Sequence, residues 1–437
     1  MARNTMPGGA ATAQATAAQG PPSKVRYRIL GLTFVLAFIM YLDRVCMGLA
    51  QPAIMREFNL DKITMGWSVS AFLWAYAMFQ IPGGWMADRF GPRVVLAAAL
   101  TWWSIFTAAT GLSYNALSLA VMRFMFGAGE AAAFPASSRA IVRWLPAEQR
   151  AFGQGFQHSG SRLGAAVTPP LVVLLIALFG WRWMFGIFGL VGVVFAFFWY
   201  RYYRDFPIDH SGVNAGEMKL LERAGVPQRS GSMRAVPWSR ILRSRDLWFL
   251  SCMYFCYGWV LWMYLNWYPT YLLEVRGYTM AKMSIGASLP LLAATATNIT
   301  GGWISDRMVR RLGLKRGRLV VSVTGFAIAG IGLIPGVLAE SPAVSMACLT
   351  LALGGLELTV PVSWAMSLDI GGEFSGSVSG VMNMLGAIGG ALSAVCIGYL
   401  ATHLGWNWPF LTASVMCGLA AILASRIEPS RSAVAAR

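Results

Sequence analysis

The feature that most constrains this chain is a succession of long apolar runs, each close to the roughly 20 residues a helix needs to cross a hydrocarbon core. The runs fall at about 28–54, 64–87, 94–112, 115–140, 151–179 and 182–203. A polar stretch follows, and six more come at about 247–273, 283–305, 318–338, 343–368, 376–400 and 406–426. Six and six predict an all-α membrane protein, twelve transmembrane helices in two pseudo-symmetric six-helix bundles. The expected divisions are a disordered N-terminus (1–27), a first bundle (28–203), a central loop (204–246), a second bundle (247–427) and a tail (428–437). Only 12% of the 437 residues are charged, about half the usual share of a soluble domain. The net charge of +17 does not point to nucleic acid, because the bases lie between apolar runs. Lipid headgroups are their expected partner.

Lys and Arg set the orientation. Arg26 and Arg28 precede the first run, Arg89 and Arg93 follow the second, and Arg139, Arg143 and Arg150 flank the loop after the fourth. Residues 201–246 hold nine Lys/Arg, and 307–318 hold Arg307, Arg310, Arg311, Lys315, Arg316 and Arg318. The alternate loops hold few, so both termini and the central loop are expected in the cytoplasm. The loop with Asp369 and Glu373 is the exception, carrying acids and no base. Residues 2–23 show no apolar signal core, and the short external loops suit a bacterial inner membrane.

Several functions are disfavoured. The six cysteines sit in apolar runs without ligand spacing and the three histidines are scattered, so no metal site is expected. No nucleophile–base pair or phosphate loop appears, so the chain does not read as an enzyme. No cofactor is expected; protons are the expected coupling ion, with sodium left open as a replacement.

An internal repeat adds the architecture. Gly83-Gly84-Trp85-Met86-Ala87-Asp88-Arg89 ends the second run of the first half, and Gly301-Gly302-Trp303-Ile304-Ser305-Asp306-Arg307 the second run of the second, identical at five of seven positions. Parallel repeats of this kind place a binding site between the halves near the midplane. The pattern Gly84-x-x-x-Asp88-Arg89-x-Gly91-x-Arg93 resembles the loop signature of the major facilitator superfamily, with Asp306-Arg307 as a weaker second copy. Asp88, Arg89, Arg93, Asp306 and Arg307 are therefore expected to form a gating latch between halves.

A charge at mid-bilayer costs about 2.5–3.5 kcal/mol on permissive scales, so those present need a reason. The first run holds Asp43-Arg44, the fourth Arg123 and Glu130, the fifth a stripe of Gln154, His158 and Arg162. The second half offers Glu357, with Asn266, Asn298 and Asn383 as amides. A bland reading is that these groups merely staple helices together. Two acids and three arginines in three neighbouring spans favour chemistry instead, since a guanidinium offers a permanent fork for a carboxylate.

These residues, with Trp267-Tyr268-Pro269-Thr270-Tyr271-Leu272 and Pro207-x-x-His210-x-Gly212-Val213-Asn214-x-x-Glu217, resemble the anion:cation symporter branch, which includes bacterial galactonate, glucarate, hexuronate and phthalate transporters. The resemblance implies that Arg44 binds a substrate carboxylate, that Asp43 and Glu130 carry protons, and that Arg123 pairs with them. It further implies that Tyr76, Ser363 and Asn383 contact substrate, with Ser161 nearest a neutral contact in the fifth span. Arg162 departs from that pattern: facing the cavity it suggests a second anionic group on the substrate, such as a dicarboxylate or aldarate, and facing an Asp or Glu of a neighbouring span it leaves a monocarboxylate sugar acid equally open. Trp364 is the tryptophan expected there. The function implied is import of a small organic anion (a sugar acid or a mono- or dicarboxylate) by proton symport, as a monomer with alternating access. A proton-coupled exporter and a non-transporting nutrient sensor are the alternatives; the cavity arginines disfavour the first and the short loops the second.

Overall fold

The computed structural model describes residues 21–60, 62–226 and 236–430. Most of the expected N-terminal tail and residues 431–437 of the C-terminal one lie outside them, whereas 25–27 already form the first turn of a helix. All regular structure among the described residues is helical. In the first half these are α1 (Val25–Phe58), α2 (Lys62–Phe90), α3 (Pro92–Thr110), α4 (Ala116–Glu130), α5 (Ala133–Trp144) and α6 (Arg150–Tyr202). Short helices α7 (Ala215–Arg223) and α8 (Trp238–Arg243) occupy the middle. In the second half come α9 (Arg245–Asn266), α10 (Tyr268–Glu274), α11 (Met280–Leu312), α12 (Leu314–Leu338), α13 (Pro342–Gly371), α14 (Ser375–Leu404) and α15 (Asn407–Ser425).

Two apolar runs are interrupted. The fourth breaks at 131–132 between α4 and α5, and the seventh at Trp267, where Pro269 in the first turn of α10 supplies no N–H to continue the helix. The fifth and sixth merge into α6 and part only at Gly180, whose φ of 77° and ψ of 165° suit glycine alone. Gly405, between α14 and α15, repeats that conformation at φ 87°, ψ 167°. The duplication is therefore written in the backbone as well as in the sequence. Eight segments among the described residues are long and apolar enough to cross a membrane, two of them 56 and 63 residues long and able to cross twice. Leu178, Phe197, Ile331 and Val395 lie exposed on the outer surface, where lipid rather than water is the fitting solvent.

Within the first half α1 packs along α6, and within the second α9 lies against α14 and α12 against α13. The halves meet where α6 crosses α11 and where α2 crosses α14. Both ends of the described chain and the middle segment gather at one face. There the Glu217 carboxylate accepts hydrogen bonds from Ser23 Oγ (2.5 Å), the Val25 N–H (3.1 Å), the Arg26 N–H (3.2 Å) and Arg26 Nη1 (2.9 Å). Arg143 Nη1 pairs with Asp205 at 2.6 Å. Burial, with Arg204 nearby, holds the His210 imidazole below its usual pKa, and its unprotonated Nδ1 accepts from the Gly212 N–H at 3.0 Å. At the other end the Glu428 N–H donates to Asp246 at 2.8 Å.

Candidate functional site

The halves enclose a cavity of about 50 Å³. Arg44 and Tyr41 (α1), Tyr76 (α2), Phe134 (α5) and His158 and Arg162 (α6) line one side; Tyr254 and Tyr257 (α9), Trp364 (α13) and Asn383 (α14) line the other. Five of the residues singled out from the sequence therefore converge: Arg44, Tyr76, Arg162, Trp364 and Asn383. His158 joins them, stacked on Phe134 at 4.5 Å between centroids and tilted against Trp364 at 5.2 Å.

Arg44 donates from Nε to Glu130 Oε2 at 2.8 Å. Its guanidinium lies over the rings of Tyr76 (4.5 Å) and Tyr41 (5.0 Å), and Nη2 has no hydrogen-bond partner among the described residues. Asp43 sits behind it, fully buried, with Oδ2 accepting from Trp103 Nε1 at 3.2 Å. Arg123 departs from expectation. It forms no ion pair with either acid among the described residues; its guanidinium lies on Phe126 at 4.2 Å, with Nε and Nη1 unpartnered. Seven residues of helix put Arg123 about 10 Å from Glu130 along the axis, and Arg44 reaches that carboxylate from α1 instead.

Arg162 is engaged on every side. Nε donates to Glu357 Oε2 (3.1 Å) and Nη2 to Glu357 Oε1 (2.9 Å), a bidentate pair joining α6 to α13. Nη1 donates to Tyr41 Oη and Nη2 to Tyr257 Oη, both at 3.0 Å. Tyr257 Oη in turn donates to Glu357 Oε1 (3.0 Å), and Asn298 Nδ2 to Oε2 (2.7 Å). Across the other seam Asn383 Nδ2 donates to Tyr76 Oη and Gln80 Oε1, each at 3.1 Å.

Two expected cavity residues lie elsewhere. Ser161 Oγ donates to the His158 carbonyl (2.6 Å) and Ser363 Oγ to the Thr359 carbonyl (2.8 Å). Both hydroxyls donate back to their own helix, as buried helical serines do, and Ser161 Oγ also accepts from Arg162 Nη1 at 3.5 Å. Sequence reasoning noted Glu357 and Asn298 only as buried polar groups and overlooked Tyr41, Tyr254 and Tyr257. The signal was faint: Glu357 is a lone acid in its span.

The repeat motif closes the face that carries the chain ends. Asp88 accepts from the Gly376 (3.0 Å) and Ser377 (2.6 Å) N–H groups, capping the start of α14 in the opposite half. Asp306 accepts from Ala151 (3.3 Å) and Phe152 (2.8 Å), capping α6. Each carboxylate thus meets the free donors and positive end of a helix. The motif glycines permit this approach, since a methyl on Gly84 would strike the Gly376 carbonyl and one on Gly302 that of Ala151. The bases beside these acids are not those expected. Arg139 stands 3.6 Å from Asp88, Arg318 2.9 Å from Asp306, and Arg150 and Arg318 reach Asp369 at 3.5 and 3.3 Å. Arg89 lies over Trp85 and Phe90, and Arg307 over Trp303. Arg93 donates to the Tyr200 carbonyl. All three make these contacts within their own half. The loop that lacked a base finds its bases on α6 and α12.

Two helical halves around a charged cavity, latched among the described residues at the face that carries the chain ends, define a membrane carrier rather than an enzyme. The chain belongs to the Major Facilitator Superfamily, whose family model matches residues 33–394. The probable sulfoacetate transporter of Cupriavidus necator is 37% identical over 408 residues, 93% of this chain and 94% of that one. The D-galactonate transporter of Escherichia coli is 30% identical over 400 residues, 88% and 91% of the two chains. Two solved structures share the fold. The Escherichia coli fucose:proton symporter has a TM-score of 0.69 at 13% identity over 93% of this chain and 100% of that one. A proton:xylose symporter has 0.70 at 16% over 91% and 94%.

Proposed function

We propose that this carrier imports a small organic anion together with protons across a bacterial inner membrane, working as a monomer with both termini in the cytoplasm. The observation that carries the reading is Arg44: a guanidinium on the cavity wall with a spare donor, its other edge held by Glu130 and Asp43 next to it in sequence. With the termini inside, the closed latches are cytoplasmic. Protonating Glu130 releases the Arg44 Nε for an arriving carboxylate or sulfonate, which then has two parallel donors to bind. Asp43 takes the second proton. The 28–203 and 247–427 bundles then rock about the loaded cavity, and the Asp88 and Asp306 caps let go on the inner side. A relative named for sulfoacetate and another for D-galactonate support the anion class.

Purified protein in proteoliposomes, given an inward proton gradient and labelled sulfoacetate, succinate and galactonate, should accumulate at least one of them, and a protonophore should collapse the gain. Accumulation that ignores the protonophore would overturn proton coupling. Asp43→Asn should abolish uphill uptake yet keep some counterflow exchange; uphill uptake at the wild-type rate would remove Asp43 from the proton path.

A further inference from the structure

The two arginines of the cavity are in opposite conditions. Arg44 has an unpartnered Nη2, whereas the donors of Arg162 are committed to Glu357, Tyr41, Tyr257 and, at 3.5 Å, Ser161. An anion that reaches the Arg44 Nη2 displaces no protein partner. It can reach Arg162 only by replacing a partner, and Glu357 is the one that carries the same charge as the anion. Both guanidinium carbons lie near the Tyr41 ring centroid, at 5.0 and 5.4 Å. Two ion-pair contacts take up most of the separation this allows. One short molecule with acidic groups a few bonds apart can therefore meet both.

We propose that Arg162 and Glu357 form a clasp across the halves that a second acidic group on the substrate opens, and that the released Glu357 carries one further proton with each dianion. This rests on the anion reading above. Counting charges gives the reason. Two guanidinium groups at the cavity are matched by two carboxylates, Glu130 and Glu357. A dianion substitutes for both only if both become neutral, because an unpaired carboxylate left in a buried site is strongly disfavoured. A monoanion substitutes for one. The added proton comes from external water and rests on a Glu357 oxygen, with Tyr257 and Asn298 still at hydrogen-bond distance.

Among the described residues, the surroundings of Glu357 bring no other acid. Arg162 faces it from α6, with His158 one turn earlier; Tyr257 faces it from α9 and Asn298 from α11. Arg318, the one charged group of α12 beyond its first turn, is spent on Asp306 and Asp369 at the far end. The α14 sequence has no charged residue before His403, and the arginines of α5, Arg139 and Arg143, lie at the latched face with Asp88 and Asp205. Since the pair ties α6 to α13, opening it also loosens one seam between the halves, so a dianion both loads the carrier and frees it to move.

The test measures protons taken up on binding by the full-length protein in detergent, by titration calorimetry in buffers of differing ionisation enthalpy. Sulfoacetate and succinate are compared with monomethyl succinate. Wild type should take up about one more proton with either dianion than with the monoester. In Glu357→Gln that difference should vanish, while dianion affinity rises about tenfold because a neutral amide competes poorly for Arg162. Equal proton uptake for the two classes in wild type would overturn the clasp, as would an undiminished difference in the variant. Should the variant fail to fold, the wild-type comparison still decides. Binding of the monoester alone would also reject the clasp and leave the anion reading intact. Binding of none of the three probes would bring down the reading and the clasp together.

Discussion

Two arginine–glutamate pairs lie beside the Tyr41 ring in this protein and are built for different work. Arg44–Glu130 lies within the first half, held by one bond from Nε, with Nη2 buried and unpartnered and the side chain lining the cavity. Arg162–Glu357 crosses between halves, is bidentate, and has a tyrosine on each partner and an amide on the acid. The same two functional groups make a vacancy in one place and a strut in the other. What differs is how many donors the neighbours consume, so the count of uncommitted hydrogen bonds, more than the presence of charge, marks where an anion enters first.

The largest expected effect tests the strut. Glu357→Ala leaves Arg162 buried and unpaired, and should cost about 3–5 kcal/mol of stability, read as a lowered melting temperature of the purified protein. Glu130→Ala should cost less than half as much, since Arg44 keeps its aromatic faces. Equal losses would erase the contrast. Next comes the vacancy. Arg44→Lys keeps the charge but loses the planar fork, and should cut uptake of labelled anion about a hundredfold with little change in melting. Uptake near wild type would mean that the fork is not what binds substrate.

A smaller effect concerns how the pairs are held shut. Asp88→Asn or Asp306→Asn weakens one helix cap by about 1 kcal/mol, and should shift the population several-fold toward an open latched face. Spin-label distances between α2 and α14 would read that shift, and unchanged distances would mean that the caps do not hold the face closed. The smallest belongs to Tyr41→Phe, which removes one hydrogen bond from Arg162 and should lower stability by about 1 kcal/mol or less. In a Glu357→Gln background the loss should shrink further if the two act as one network.

The architecture was legible because lipid imposes it: apolar length reports crossings, and the Gly-Gly-Trp repeat reports duplication before any contact is known. The cavity was legible in part. Charges in a span are expensive, so Arg44, Glu130 and Arg162 announced themselves, and so did Asp88 and Asp306 at matching places. Partners were not legible. Arg318, Arg139 and Arg150 read as loop bases because nothing local says that α12, α5 and α6 bring them onto Asp306, Asp88 and Asp369. The hydroxyls of Ser161 and Ser363 misled for the opposite reason, since a serine in a helix always has a carbonyl within reach. Arg123, seven positions before Glu130, showed that a shared helix face is not a contact.

The bonds that Glu217 makes to Ser23, Val25 and Arg26 bind the early central segment to the foot of α1. That stretch therefore travels with the first half. A small rigid domain fused into the exposed turn at Ala224-Gly225 would add recognisable mass to a molecule otherwise hidden in detergent. It would serve as an alignment marker for one half in electron micrographs, and successive images sorted on it would show the second half alone as the part that swings.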